Sequence, residues 1–272
     1  MIVCTLAILL PAYLISVQPV AGVPIISERY NKQLEAGIVS DSSPIFADLN
    51  GDGKQEILFG ALDGTLYVRN QEDGSPYWLN KQLPAPINSS PAVADLNGDG
   101  KPDVIVSFNG NAANCFRYDG GVRAFDNSGD VLWTFWMNID IEGGGTRPKG
   151  VYASPSIDDV DRDGKLEIAI GGWDRRMHLI KGENGQEEDG QWPVLVHDTI
   201  WSTAALADLD GNDNGKLEII VGADITGGAP MPDGTLAQDG GIMWVFEHDG
   251  TNKWRYHVDE TIWSSPAVGD IN

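Results

Sequence analysis

The stretch Ser42-Ser43-Pro44-Ile45-Phe46-Ala47-Asp48-Leu49-Asn50-Gly51-Asp52-Gly53-Lys54-Gln55-Glu56-Ile57-Leu58-Phe59-Gly60 joins two short apolar runs through an acidic bend. The runs on either side are too short for helices, and their β-branched and aromatic residues suit strands. The same order of residues returns at Ser89–Asp95, Ala153–Asp159, Ser202–Asp208 and Ser264–Asp270. The aligned aspartates, Asp48, Asp95, Asp159, Asp208 and Asp270, stand 47, 64, 49 and 62 residues apart. A period of that size marks a repeat architecture.

Each repeat reads as four short strands. The second is apolar on both faces (Glu56–Gly60, Asp103–Val106, Glu167–Gly171, Glu218–Gly222), as in a strand sandwiched between neighbouring sheets. The third and fourth flank a turn with the spacing Gly-x-x-x-Trp at Gly74/Trp78, Gly129/Trp133 and Gly250/Trp254, whereas Trp192 is displaced from Gly185. These tryptophans are expected to be packing wedges between sheets. A four-stranded sheet cannot bury both faces alone, so the expected fold is all-β, a β-propeller of four-stranded blades. The blades fall at 42–88, 89–151, 152–200 and 201–262, with the first strand of a fifth at 263–272, within a region 42–272 expected to be part of a larger propeller. Residues 23–41 form a lead-in, in which Tyr30–Leu34 resembles the outer-strand segment Asn80–Leu83 and is a candidate strand of a split blade.

The bends carry oxygens at fixed offsets. Asp48, Asn50, Asp52 and Glu56 occupy positions 1, 3, 5 and 9 of the first, and Asp95, Asn97, Asp99 and Asp103 those of the second. Asp159, Asp161, Asp163 and Glu167 repeat them in the third, and position 7 is lysine each time (Lys54, Lys101, Lys165). Lysine cannot ligate a cation through its side chain, but its carbonyl can face inward. Three carboxylates in nine residues repel one another unless a cation collects them, and calcium takes six to eight hard oxygens of this kind. An EF-hand is excluded, because position 12 is Phe59, Val106 or Ile170, inside a strand, where that loop needs Glu. Plain hairpin turns are the other reading. The fourth loop, Asp208 to Glu218, is two residues longer. Counting back from Glu218 makes Asp210, Asn212 and Asn214 positions 1, 3 and 5, with Lys216 at 7. With only two carboxylates, this loop is expected to bind calcium most weakly or not at all.

The Asp-x-Asn/Asp-x-Asp-Gly-x-x-Asp/Glu loops, followed by runs such as Phe59-Gly60-Ala61, resemble the FG-GAP repeats of integrin-α-type β-propellers and related bacterial repeat proteins. The resemblance runs over about residues 30–272. It implies calcium on one face of a propeller and a role in adhesion or in protein or carbohydrate binding. Some rhamnogalacturonan lyases carry similar propellers, so a polysaccharide-acting, lyase-like enzyme is the alternative. A shared fold does not fix the activity.

Strand order puts the acidic loops on one face and the long connections, Asn109–Gly121, Ile141–Gly150 and Asp224–Gly240, on the other, where binding usually resides. That face carries Phe116, Arg117, Tyr118, Arg147, Lys149, Trp173, Arg175 and Arg176. They are candidates for an anionic or glycan ligand through guanidinium forks and aromatic stacking, against ordinary solvated loops paired with nearby acids.

Composition narrows the remaining classes. The chain has 272 residues with 18 basic and 40 acidic side chains, a net charge of −22, which repels nucleic acid. Hydrophobic residues at 42% argue against disorder. Residues 1–27 carry no charge, and Val20-Ala21-Gly22 suits signal-peptidase cleavage. Residues 1–22 are therefore expected to be a secretory signal, with a membrane anchor or a buried strand as alternatives. The protein is then secreted, at the cell surface or periplasmic, touching a membrane only through an uncleaved leader. Cys4 and Cys115 make no disulfide framework. No catalytic motif of the common hydrolase, zinc or phosphate-loop kinds occurs, and His178, His197, His248 and His257 read as structural.

Overall fold

The computed structural model describes residues 38–110, 120–137, 150–211, 215–228, 231 and 234–271. All of these lie in the compact unit Lys32–Asn272. The first sheet contains β1 (Ile45–Ala47), β2 (Glu56–Gly60), β3 (Thr65–Asn70) and β4 (Lys81–Gln82), and the second β5 (Ala92–Ala94), β6 (Asp103–Phe108), β7 (Gly121–Phe125) and β8 (Val131–Trp136). The third holds β9 (Ser156–Asp158), β10 (Glu167–Gly171), β11 (Arg176–Lys181) and β12 (Val194–Leu195), and the fourth β13 (Ala205–Ala207), β14 (Glu218–Ile225), β15 (Gly240–Phe246) and β16 (Asn252–Val258). Every sheet is an antiparallel meander in chain order, and no helix occurs among the described residues. The fold is all-β, made of propeller blades.

The cores lie between blades. Leu58, Leu66 and Val68 pack with Val104, Val106 and Phe108. Ile105 and Val122 pack with Ile168 and Ile170, and Met177 and Leu179 with Ile219 and Val221. This is why β6 and β10 are apolar on both faces: each faces a neighbour on either side; β2, with one neighbouring blade among the described residues, alternates buried and half-buried residues. The FG-GA run has its own reason. A Cβ on Gly60 would come 2.1 Å from Cγ2 of Ile87, and Gly171 and Gly222 meet Ile200 and Ile262 in the same way.

Two repeated hydrogen bonds stitch the blades. The Ser43 N–H donates to Ser90 Oγ, Ser90 to Ser154, Ser154 to Thr203, and Thr203 to Ser265, at 2.9–3.1 Å. The Ser-Ser-Pro and Ser-Thr pairs are thus links between inner strands. At the outer side, the indole N–H of Trp78 donates to Asn127 O, that of Trp133 to Gly182 O, and that of Trp192 to His248 O, each in the next blade. Trp192 does this despite its displacement. Gly185 explains half of the Gly-x-x-x-Trp spacing: a Cβ there would lie 2.6 Å from the Trp133 ring, so the glycine seats the preceding blade's wedge.

Residues 264–271 join the row through Ser265 and carry no strand pairing. Tyr30–Leu34 lies outside the described residues.

Candidate metal loops

The first loop is wound around one carboxylate. Asp48 Oδ1 accepts the N–H groups of Asn50, Gly51 and Asp52 at 3.3, 2.7 and 3.2 Å, and Oδ2 accepts that of Gly53 at 2.8 Å. These bonds, Gly53's foremost, hold the Asp48 carboxyl below its ordinary range. Asn50 and Asp52 side chains accept the N–H two residues on. The second loop repeats the pattern at Asp95, Asn97 and Asp99; the third keeps the bonds to Asp161 and Asp163 and from Gly164 N–H to Asp159 Oδ2, but not those to Oδ1 of its first aspartate. Gly53, Gly100 and Gly164 hold φ of 82°, 83° and 90°, the left-handed region that the turn requires.

The late acid is buried each time. Glu56, Asp103, Glu167 and Glu218 are 1–3% exposed, and each accepts the N–H of the residue after position 1: Leu49, Leu96, Val160 and Leu209, at 2.7–2.9 Å. Burial pushes Asp103 up to about 6 and Glu167 to about 7, with neighbouring carboxylates adding to the rise. Glu56 moves the same way for the same reasons. Such a group gains most from a nearby cation. Ligand oxygens of Asp159, Asp161 and Glu167 lie within 4.8 Å of one another, and so do those of Asp208, Asp210 and Glu218. Asp159 Oδ1 is buried without a hydrogen-bond partner. Lys54 and Lys165 turn their ammonium groups outward onto Glu72 and Glu183 at 3.0 Å, while Lys216 meets His248 Nε2 at 3.1 Å.

The fourth loop differs from the count made on sequence. Leu209 is the residue that donates to Glu218, and Gly211 N–H donates to Asp208 Oδ1 at 2.7 Å, as Gly51 does to Asp48. Asp208 is therefore position 1 and Asp210 position 3. The two extra residues fall after Gly211, and Asn212 and Asn214 lie outside the described residues. A cation is already present: Lys253 Nζ sits 2.7 Å from Asp210, 2.8 Å from Glu218 and 2.9 Å from Glu247. Lys253 directly precedes Trp254, as Tyr77 precedes Trp78, and the Tyr77 side chain bonds Asn50 of the first loop. That position overhangs the loop, a signal the alignment of wedges contained.

On the other face, Trp173 stacks on Tyr152 at 4.7 Å and meets Trp201 at 4.7 Å, and Arg176 Nη1 reaches Pro193 O at 3.5 Å. Phe116, Arg117, Tyr118, Arg147 and Lys149 lie outside the described residues. His178 is not a solitary core histidine. Fully buried, it places Nε2 2.8 Å from Asp174 and Nδ1 3.2 Å from Glu187.

Residues 41–106 match the FG-GAP-like repeat. The match spans the first blade and the opening of the second, the stretch that holds the first two loops. No curated protein sequence matches the chain. Among solved structures, the chain is similar to the C-terminal domain of Pseudomonas aeruginosa PilY1, at 16% identity and a TM-score of 0.54, covering 84% of this chain and 52% of that one. It is similar to the quinohemoprotein alcohol dehydrogenase ADHIIG of Pseudomonas putida HK5, at 17% identity and 0.50, covering 81% and 35%. The V. cholerae biofilm matrix protein Bap1 is similar at 20% identity and 0.42, covering 82% and 40%. The chain thus spans about 35–52% of the length of these proteins. At such identities the likeness is one of fold.

Proposed function

We propose that this chain is a calcium-stiffened propeller segment that works outside the cytoplasm as an adhesion or binding module for a protein or glycan. One observation carries the calcium half: three loops, 47 and 64 residues apart, repeat the oxygen-bearing positions and the glycine N–H bond to the first aspartate over a buried acid. In each, the ligands are the side chains at positions 1, 3, 5 and 9 with the lysine carbonyl at 7. These are Asp48, Asn50, Asp52, Lys54 and Glu56, then Asp95, Asn97, Asp99, Lys101 and Asp103, then Asp159, Asp161, Asp163, Lys165 and Glu167. All are hard oxygen donors, which suit calcium rather than a thiophilic metal. The orphaned Asp159 oxygen supports the fit.

The fourth loop does not fit. Asp208, Asp210 and Glu218 cluster, but the Lys253 ammonium already stands among the carboxylates that a divalent ion would need. Binding by the module is assigned to the face opposite the loops, where Trp173, Arg175 and Arg176 sit. FG-GAP repeats occur in adhesive propellers, which supports this choice over an enzyme. Calorimetry on metal-stripped protein tests the first half and a glycan and matrix-protein array the second. Heat of calcium binding with three sites, and retention of a ligand by the loaded form, are expected. Absence of calcium heat refutes the first, and an array without any ligand refutes the second.

A further inference from the structure

We propose that Arg162 makes the third acidic loop the first to fill with calcium, by drawing its bend toward the fourth blade and so leaving a carboxylate oxygen of Asp159 free for the ion. The proposal rests on the reading of these loops as calcium sites and ranks them. Position 4 is glycine in three of the four loops: Gly51, Gly98 and Gly211. Their φ angles are 76°, 73° and 58°, in the left-handed region. In the third loop the same position is Arg162, and its φ is 63°. A side chain is disfavoured there, so the turn is held at a cost that glycine would remove. What the arginine gains lies in the next blade. Its Nε donates to Gly215 O of the fourth loop at 2.6 Å, and Nη1 stands 3.6 Å from Asp158 Oδ1. A glycine could make neither contact.

The backbone of the bend changes with it. In the glycine loops the N–H of position 4 donates to Oδ1 of the first aspartate: Gly51 to Asp48 at 2.7 Å, Gly98 to Asp95 at 2.8 Å and Gly211 to Asp208 at 2.7 Å. Asp52 and Asp99 N–H groups add to the same oxygens in the first two loops. The third loop lacks these bonds. Asp159 Oδ1 is buried with no hydrogen-bond partner, while Oδ2 still accepts Gly164 N–H at 3.1 Å. A buried, unpaired carboxylate oxygen is unfavourable until a cation meets it. An ion entering the first or second loop must instead compete for an oxygen already shared among backbone N–H groups. The carboxylates are gathered differently as well. Ligand oxygens of Asp159, Asp161 and Glu167 lie within 4.8 Å of one another, whereas Asp48, Asp52 and Glu56, or Asp95, Asp99 and Asp103, form no such group among the described residues. The fourth loop has the grouping, but Lys253 already stands in it. A cavity of about 370 Å³ lies against the third loop, lined in part by Asp161, Asp163 and Glu167, and gives an ion a way in. Asp161 also stands where the first two loops have Asn50 and Asn97, and added ligand charge tightens calcium.

Hydrogen exchange on the metal-stripped full chain, read by mass spectrometry as calcium is titrated, resolves the loops. Peptides over residues 48–56, 95–103 and 159–167 each report one of them. The third loop is expected to gain protection at about tenfold lower calcium than the other two. Arg162→Gly gives the bend the residue that the other three loops use, so the fold is kept, and it leaves Asp161 in place. The variant is expected to need about fivefold more calcium at the third loop, with the first two loops unmoved. A residue that merely supported the fold would not shift one midpoint alone. Equal midpoints in the parent, or a third loop that fills later, would overturn the ranking. A variant that fills like the parent would overturn the part given to Arg162. No response to calcium in any loop would strike the metal assignment itself, and the ranking with it.

Discussion

The first and fourth blades use one loop to two ends. In the first, Asp48 and Glu56 accept backbone N–H groups of the loop, no ion pair reaches Asp48, Asp52 or Glu56 among the described residues, and Lys54 is turned away to Glu72, half exposed. In the fourth, Asp208, Asp210 and Glu218 keep their places while Lys253 drops an ammonium onto Asp210, Glu218 and Glu247. Their wedges differ too: Trp78 is 6% exposed against the second blade, whereas Trp254 is 44% exposed. The difference teaches that a lysine from the fourth strand can supply positive charge at this bend, the part that the proposed calcium would play in the other blades.

The largest effect should come from removing calcium. At a hundredfold excess over its dissociation constant, each site adds about 2.7 kcal/mol, or about 8 kcal/mol for three. Denaturant unfolding with and without a chelator is expected to show a loss of that order. A loss near zero would erase the contrast between the loops. Next come the wedges. Trp78→Ala should cost about 3–5 kcal/mol, as for a large side chain cut from a core, and Trp254→Ala under about 1 kcal/mol. Equal costs by chemical denaturation would contradict the wedge role.

Lys253→Met leaves three carboxylates facing one another around the buried Glu218. It should cost about 3 kcal/mol in metal-free protein, and added calcium should restore part of it by entering the vacated bend. Lys54→Met is the control, with under about 1 kcal/mol expected for a solvent-exposed pair. A second trapped cation can be switched off by pH. Burial opposes the charge on His178, but Asp174 and Glu187 outweigh it and raise the imidazolium to about 9. Because the folded value lies above the unfolded one, this stability is fully present below about pH 6.5. It is lost as pH climbs through about 9, by about 3 kcal/mol. Unfolding free energies from pH 6 to 10 should fall over that window in the parent and stay flatter in His178→Gln.

Much of this was legible because periodic oxygens leave an unambiguous trace. Asp48, Asp95 and Asp159 fix three loops, and the strands after them follow from short β-branched runs. The fourth loop was miscounted because sequence alone cannot place a two-residue insertion. The Leu209 N–H to Glu218 bond places it after Gly211. Lys253 stayed hidden since it comes from the fourth strand, 35 residues beyond Glu218. His178 likewise reads as solitary until the turn at Asp174 and the hairpin at Glu187 fold back on it.

The most direct trial is native mass spectrometry of the whole chain after dialysis against calcium, counting ions on the folded charge states. Three bound ions are predicted, one for each bend that lacks a lysine cation. A count of zero, or a fourth ion held while Lys253 is intact, would contradict the account.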